Sequence, residues 1–259
     1  MEIVALKVVD LAIGYEKPLI RNINVELESP YILLIIGPNG VGKTTFLKTL
    51  IGFVRPHAGK VYVNQIDITG NSELAGVFMD YVPQLSRFTS TTGFPITVWE
   101  FVEFGLTIHL KKMGLRMDKS EMQRIIKETF NTVGIDKSLW DRSIWKLSGG
   151  EMQRLFMARA LVNNQPIILL DEPLSSIDPE GKMEIIDVIS ILKKDKIILI
   201  TCHDPEIFLG ICDNVMIFGR GVYYIGKPME VLNIDVLGRI YGKSVIKFKD
   251  HVHIYDHHN

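Results

Sequence analysis

Cysteine is scarce in this chain: Cys202 and Cys212 are the only two in 259 residues. Two thiols supply no disulfide framework and suit a reducing compartment, where each reads as a small buried hydrophobe. No run approaches the ~18 apolar residues of a membrane-spanning helix, so no segment is expected to cross a bilayer. The opening Met1-Glu2-Ile3-Val4 lacks the basic segment and cleavage site of a secretory signal. Charge of one sign is missing too: 29 Lys and Arg face 30 Asp and Glu, for a net charge of -1. That balance argues against an electrostatic nucleic-acid binder. Internal repeats and low-complexity linkers are absent.

The length suffices for one sizeable α/β domain or two small ones. Residues 3–9 and 23–28 alternate apolar and polar, as half-buried strands do. Val61-Tyr62-Val63 and the run Gly76 to Pro83 add strands. Segment 85–95, rich in Ser, Thr, Gly and Phe, reads as a loop. Helical starts follow. Thr97 with Glu100 forms a capping-box pattern, Asp118 begins a helix to about Gly134, and Ser148 with Glu151 opens another through Leu161. Ile167-Ile168-Leu169-Leu170 is a continuous apolar run of the kind found in parallel strands buried on both faces, and Lys196 to Thr201 reads as the next strand. Between them Asp178, with Pro179 at the first helical position, starts a helix to about Lys194. Strands at 214–218 and 222–225 around Gly219-Arg220-Gly221 read as an antiparallel edge hairpin.

The most informative stretch is Gly37-Pro38-Asn39-Gly40-Val41-Gly42-Lys43-Thr44-Thr45. It fits the phosphate-loop pattern G-x-x-x-x-G-K-[ST], and it lies between an apolar strand (Tyr31–Ile36) and a helix. Glycines let backbone N–H groups face phosphate oxygens, and the helix N-terminus adds a positive dipole end. Lys43 is placed to reach the β- and γ-phosphates, and the Thr44 hydroxyl to ligate Mg²⁺. Ligands of open parallel sheets bind beyond the carboxyl ends of the strands. Asp171 and Glu172 follow one such strand, His203 another and Gln84 a third. Asp171 is placed to hold Mg²⁺ and Glu172 to polarise an attacking water.

With these residues in view, Leu147-Ser148-Gly149-Gly150-Glu151-Met152-Gln153-Arg154 is decisive. It resembles the LSGGQ signature of the ATP-binding cassette (ABC) family, and the resemblance covers roughly residues 3–235. It implies a P-loop NTPase fold with a RecA-like parallel-sheet core, an antiparallel β edge and a helical subdomain insert. The implied boundaries are a single domain over 1–240, with core 1–85 and 156–235, helical subdomain 86–155, and a polar His-rich tail at 241–259. It implies ATP and Mg²⁺ as ligands. Tyr15 matches the adenine-stacking aromatic. Gln84 matches the Q-loop glutamine, which touches Mg²⁺ or water. Asp171 and Glu172 match the Walker B pair, Glu172 as general base. Ser175-Ser176-Ile177-Asp178 matches the D-loop, and His203 the switch histidine. Ser148, Gly149 and Gly150 would close over the γ-phosphate held by a second subunit's phosphate loop. The signature departs from the family in ending with Glu151 rather than Gln.

One phosphate loop and one signature are half-sites that cannot meet within one chain, so a head-to-tail homodimer is expected. A stand-alone subunit of this kind is typical of importers, which implies a separate integral membrane permease and an extracytoplasmic substrate-binding protein, with the chain on the cytoplasmic face. Neither the coiled-coil insert of DNA-repair members nor tandem cassettes are present, and no nucleic-acid partner is expected. Phe94-Pro95-Ile96-Thr97-Val98 and Asp141-Arg142-Ser143-Ile144 resemble segments of the manganese/zinc/iron importer branch. Haem, siderophore and cobalamin importers have related segments, and a soluble ABC ATPase of iron–sulfur assembly would share every nucleotide residue. His251, His253, His257 and His258, four of seven histidines, crowd the last nine residues beside Asp250 and Asp256, a density suited to Zn²⁺ or a similar ion.

Overall fold

The structure, a computed structural model, describes residues 3–85, 94–175, 177–241, 245–247 and 252–254. Two sheets form its centre. β1 (Ala5–Gly14), β2 (Pro18–Glu28), β4 (Ala58–Val63) and β5 (Ile66–Asp67) make an antiparallel sheet in the order β2-β1-β4-β5. The second sheet has six strands in the order β10-β9-β3-β8-β7-β6. These are β3 (Tyr31–Ile36), β6 (Met79–Val82), β7 (Ile167–Asp171), β8 (Ile197–Thr201), β9 (Asn214–Phe218) and β10 (Tyr223–Gly226). Strands β6, β7, β8, β3 and β9 run parallel, and only β10 is antiparallel to its neighbour.

Burial explains the continuous apolar runs. Leu33 and Ile35 of β3 pack on the side of α1 (Lys43–Leu50) and the antiparallel sheet, with Leu6, Ile20, Phe46 and Leu169. Ile32, Leu34 and Ile36 face the opposite core with Leu170, Ile198 and Ile217. A strand apolar on both faces cannot lie at a surface. Each such fully buried side chain contributes roughly 1.5–3 kcal/mol of transfer free energy.

The helices cover the second face. α3 (Val98–Lys112), α4 (Lys119–Val133) and α5 (Gly149–Leu161) share one core through Val102, Phe130 and Leu155. Trp99, Phe130 and Trp140 form an aromatic triad with centroids 5.4–5.8 Å apart. α6 (Pro179–Leu192) lies between β7 and β8 in sequence. All three anticipated caps form: Thr97, Asp118 and Ser148 accept from Glu100, Glu121 and Glu151 N–H groups.

Two readings change. Gly76–Phe78 belongs to a helix, α2 (Ser72–Phe78), capped by Asn71, before β6 begins at Met79. The proposed edge hairpin is half interior, because β9 pairs parallel to β3 and leaves only β10 at the edge. After short helices α7 (Pro228–Val231) and α8 (Ile234–Tyr241), the polar tail carries an antiparallel pair, β11 (Val245–Lys247) with β12 (Val252–Ile254). Of the expected loop 85–95, residues 86–93 lie outside the described set, as does Ser176.

Candidate functional site

The phosphate loop leaves β3 through a backbone that only glycine tolerates. Gly37 has φ +150, and a Cβ there would stand 2.4 Å from the Phe218 carbonyl oxygen. Gly40 and Gly42 also take positive φ. Pro38, Asn39 and Val41 complete the loop, and Thr45 sits buried in the first turn of α1. Lys43 is 6% exposed. Its Nζ donates to the Gly37 carbonyl at 2.6 Å and the Pro38 carbonyl at 3.3 Å, so the ammonium already lies within the loop's curl.

Asp171 ends β7 at 1% exposure. A buried carboxylate needs partners, and among the described residues it has three. Oδ1 accepts from Thr44 Oγ1 at 3.0 Å and Thr201 Oγ1 at 2.7 Å, and Oδ2 accepts from the Tyr81 hydroxyl at 2.9 Å. Thr44 and Asp171 thereby juxtapose a hydroxyl and a carboxylate oxygen, the hard donor set that Mg²⁺ takes together with substrate phosphates.

Glu172 follows in the left-handed region, φ +50, a strained conformation for a side chain-bearing residue. Two bonds to Thr201 hold it there: its N–H donates to the carbonyl at 3.1 Å and to Oγ1 at 2.9 Å. The turn throws its carboxylate away from the strand axis. Oε1 lies 2.6 Å from His203 Nε2, and Oε2 accepts a short hydrogen bond from Gln84 Nε2. Residues from the ends of β6, β7 and β8 thus converge on one carboxylate. Ser175 Oγ donates to the Glu172 carbonyl at 2.9 Å, tying the following loop to the same residue. Asp178 occupies the N-cap of α6 without a side-chain cap bond. Beside His203, burial pushes the Cys202 thiol up, which keeps it protonated.

Tyr15 is 63% exposed, with its ring open for stacking. Ser148, Gly149 and Gly150 open α5. The Ser148 N–H donates to Glu151 Oε2 at 2.7 Å, and Ser148 Oγ accepts from the Glu151 N–H at 3.3 Å. Glu151, the departure from the family pattern, completes this capping box.

The segments 94–98 and 141–144, remote in sequence, lie together. Thr97 bridges Ser143, the Ile144 N–H donates to the Ile96 carbonyl at 3.1 Å, and Trp145 Nε1 donates to the Phe94 carbonyl at 2.9 Å. The Phe94 ring is 81% exposed. A groove of about 500 Å³ runs nearby, with Phe53, Tyr81, Phe101, Phe104, Ile108 and Phe156 in its walls. At its base Asp80 bonds Asn163 Nδ2, and burial lifts its carboxyl to about 6. Of the tail histidines, His253 lies on β12, while His251, His257 and His258 fall outside the described residues.

The sequence reading missed Tyr81 and Thr201. Both sit on strands next to a motif, Tyr81 three residues before Gln84 and Thr201 two before His203, and their position was the signal available.

A phosphate loop on a parallel sheet, with a buried Asp and an adjacent hydrogen-bonded Glu at the end of β7, which β8 separates from the phosphate-loop strand, defines a P-loop nucleoside triphosphatase. Comparison with known proteins narrows this. Residues 20–175 match the ABC transporter family, and the chain belongs to it. It is 31% identical over 220 residues to the energy-coupling factor transporter ATP-binding protein EcfA2 of Caldanaerobacter subterraneus, covering 84% of this chain and 75% of the relative. It is 30% identical over 246 residues to the zinc import ATP-binding protein ZnuC of a Brugia malayi Wolbachia, covering 93% and 91%. The structure of cbiO1 from Clostridium perfringens, part of the ABC transporter complex cbiONQ, superposes with a TM-score of 0.74 at 26% identity, covering 90% of this chain and 92% of that one. The chain is an ATP-hydrolysing subunit of an ABC transporter. Among the described residues no helix is long and apolar enough to cross a membrane.

Proposed function

We propose that two copies of this chain associate head to tail around two ATP molecules and drive import of a transition-metal ion or metal chelate through a separate permease. The observation that carries the catalytic part is the convergence of His203, Gln84 and the strained Glu172 turn on a single carboxylate. In this reading Tyr15 stacks on adenine, the amides of residues 37–45 surround the phosphates, and Lys43 turns from the Gly37 carbonyl to the β- and γ-phosphates. Thr44 and Asp171 hold Mg²⁺ with Gln84 beside them. When bound, that ion neutralises charge on the phosphate oxygens. Glu172 accepts the proton of the attacking water at a carboxylate oxygen. His203 Nε2 fixes that carboxylate and lies toward the γ-phosphate. The partner copy's Ser148, Gly149 and Gly150 complete the site with the N-terminal end of α5, and Asp178 carries the contact between copies.

The groove bounded by Phe53, Phe104 and Ile108 supports docking of a permease on the cytoplasmic face. Apolar side chains there are exposed (Phe104 61%, Ile108 45%). For cargo, the paired 94–98 and 141–144 segments support the metal reading, as does a zinc-import relative aligned over 93% of the chain. An importer of this type also engages an extracytoplasmic substrate-binding protein.

The test is a pull-down from detergent-solubilised native membranes with Glu172→Gln and ATP. Recovery of a multi-span membrane protein is the expected result, and the same complex rebuilt with the unmodified chain should show metal-stimulated ATPase activity. A permease complex stimulated only by a vitamin or another metal-free solute would refute the cargo assignment.

A further inference from the structure

Asp171 is oriented from two sides. Thr44 and Thr201 both donate to Oδ1, and among the described residues Tyr81 is the hydrogen-bond donor to Oδ2. In β6 alternate residues face opposite cores. Met79 and Tyr81 turn toward α1, and Val82 turns the other way. Parallel pairing sets Tyr81 opposite Leu169 in β7, which lets the phenol reach the carboxylate at the strand end. The ring also meets Phe53, in an edge-to-face contact with centroids 6.0 Å apart at 88°. Phe53 follows α1 directly, and its N–H is bonded to the Lys48 carbonyl at 2.8 Å. It is nonetheless 60% exposed and forms part of the groove wall. A continuous contact path therefore runs from groove to Phe53, to Tyr81, to the Asp171 carboxylate.

We propose that Tyr81 is a positioning residue for the divalent cation, holding Asp171 Oδ2 so that Oδ1 faces Thr44, and that its contact with Phe53 couples this orientation to the groove wall. The inference rests on reading Asp171 as a cation-holding carboxylate. A carboxylate beside a metal depends on outer partners for its direction, and losing such a partner commonly weakens metal binding by about 10–100-fold. Here the loss would also leave Oδ2, on a side chain only 1% exposed, without that donor.

The experiment is Mn²⁺ binding, followed by electron paramagnetic resonance, to ATP-loaded full-length protein in a Glu172→Gln background that prevents turnover. Tyr81→Phe keeps the ring and removes the hydroxyl. It is expected to weaken Mn²⁺ about tenfold while metal-free ATP affinity stays unchanged. Phe53→Ala is expected to shift Mn²⁺ affinity in the same direction by less. Unchanged Mn²⁺ affinity in Tyr81→Phe, or an equal loss of metal-free ATP binding, overturns the positioning role. Unchanged Mn²⁺ affinity in Phe53→Ala overturns the link to the groove. Asp171→Asn separates the two levels. If it binds Mn²⁺ normally, the reading of Asp171 fails and takes this inference with it. If it loses Mn²⁺ while Tyr81→Phe does not, only the inference fails.

Discussion

His203 Nε2 stands 2.6 Å from Glu172 Oε1, joining the loop after β8 to the turn after β7. The two residues are 31 apart in sequence. They meet because β7 and β8 are parallel neighbours in register, Asp171 opposite Thr201, so both following loops leave the same sheet edge. The pairing keeps the carboxylate on the sheet edge that carries the phosphate loop, where the proposed general base would stand.

Glu172→Gln retains the shape and the Gln84 contact while removing the basic oxygen. Phosphate release should fall by about 10²–10⁴-fold, with ATP binding unchanged by equilibrium titration. Turnover near the unmodified rate would defeat the assignment of Glu172 as base.

Thr201→Val removes one donor to Asp171 Oδ1 and one acceptor for the Glu172 N–H. Stability should drop by about 1–3 kcal/mol in urea titrations, and hydrolysis should slow because both acidic residues lose a tether. A variant as stable and active as the parent would show that the two threonine bonds carry no weight.

Ser148→Ala removes the α5 cap, at about 1 kcal/mol. ATP binding by the monomer should be unaffected, since the proposed dimer sets Ser148 against the partner's nucleotide, whereas hydrolysis should fall and become more dependent on protein concentration. An equal loss of monomer ATP affinity would place Ser148 in its own chain's site.

Asp80 gives the fold a pH dependence. Burial, the largest influence, lifts its carboxyl from 3.8 to about 6, against the lowering effects of Asn163, Arg159, Lys196 and Lys112. The folded state therefore binds the proton more tightly than the unfolded chain. Stability from this group is fully present below about pH 4 and lost as pH rises through about 6. Asp80→Asn should accordingly stabilise the protein at pH 8 by up to about 2–3 kcal/mol and by little at pH 4. Thermal melts of both proteins across that range decide it, and a difference independent of pH would exclude Asp80 as its source.

The sequence was most legible where one local rule decides the outcome. The apolar run at 167–170 and the strand read at 196–201 emerge as buried parallel neighbours, and Thr97, Asp118 and Ser148 cap helices. Gly76–Phe78 misled because Val77 and Phe78 continue into a true strand, while the helix start lay upstream in Asn71, whose side chain accepts from Leu74. The position of β9 depends on pairing with β3, a contact across 181 residues between Ile32 and Asp213 that no local pattern encodes. For the site, the residues with motif spacing were visible. The hydroxyls of Tyr81 and Thr201 were not, because their role exists only once three strands stand side by side.

The central claim is that the nucleotide site is completed by a second copy. Solution mass of Glu172→Gln, by light scattering on a sizing column, tests it most directly. The account predicts a dimer with MgATP, a monomer with MgADP, and a monomer in both when Ser148→Arg is added. A particle that stays monomeric with MgATP, or a dimer indifferent to both the nucleotide and Ser148→Arg, would contradict it.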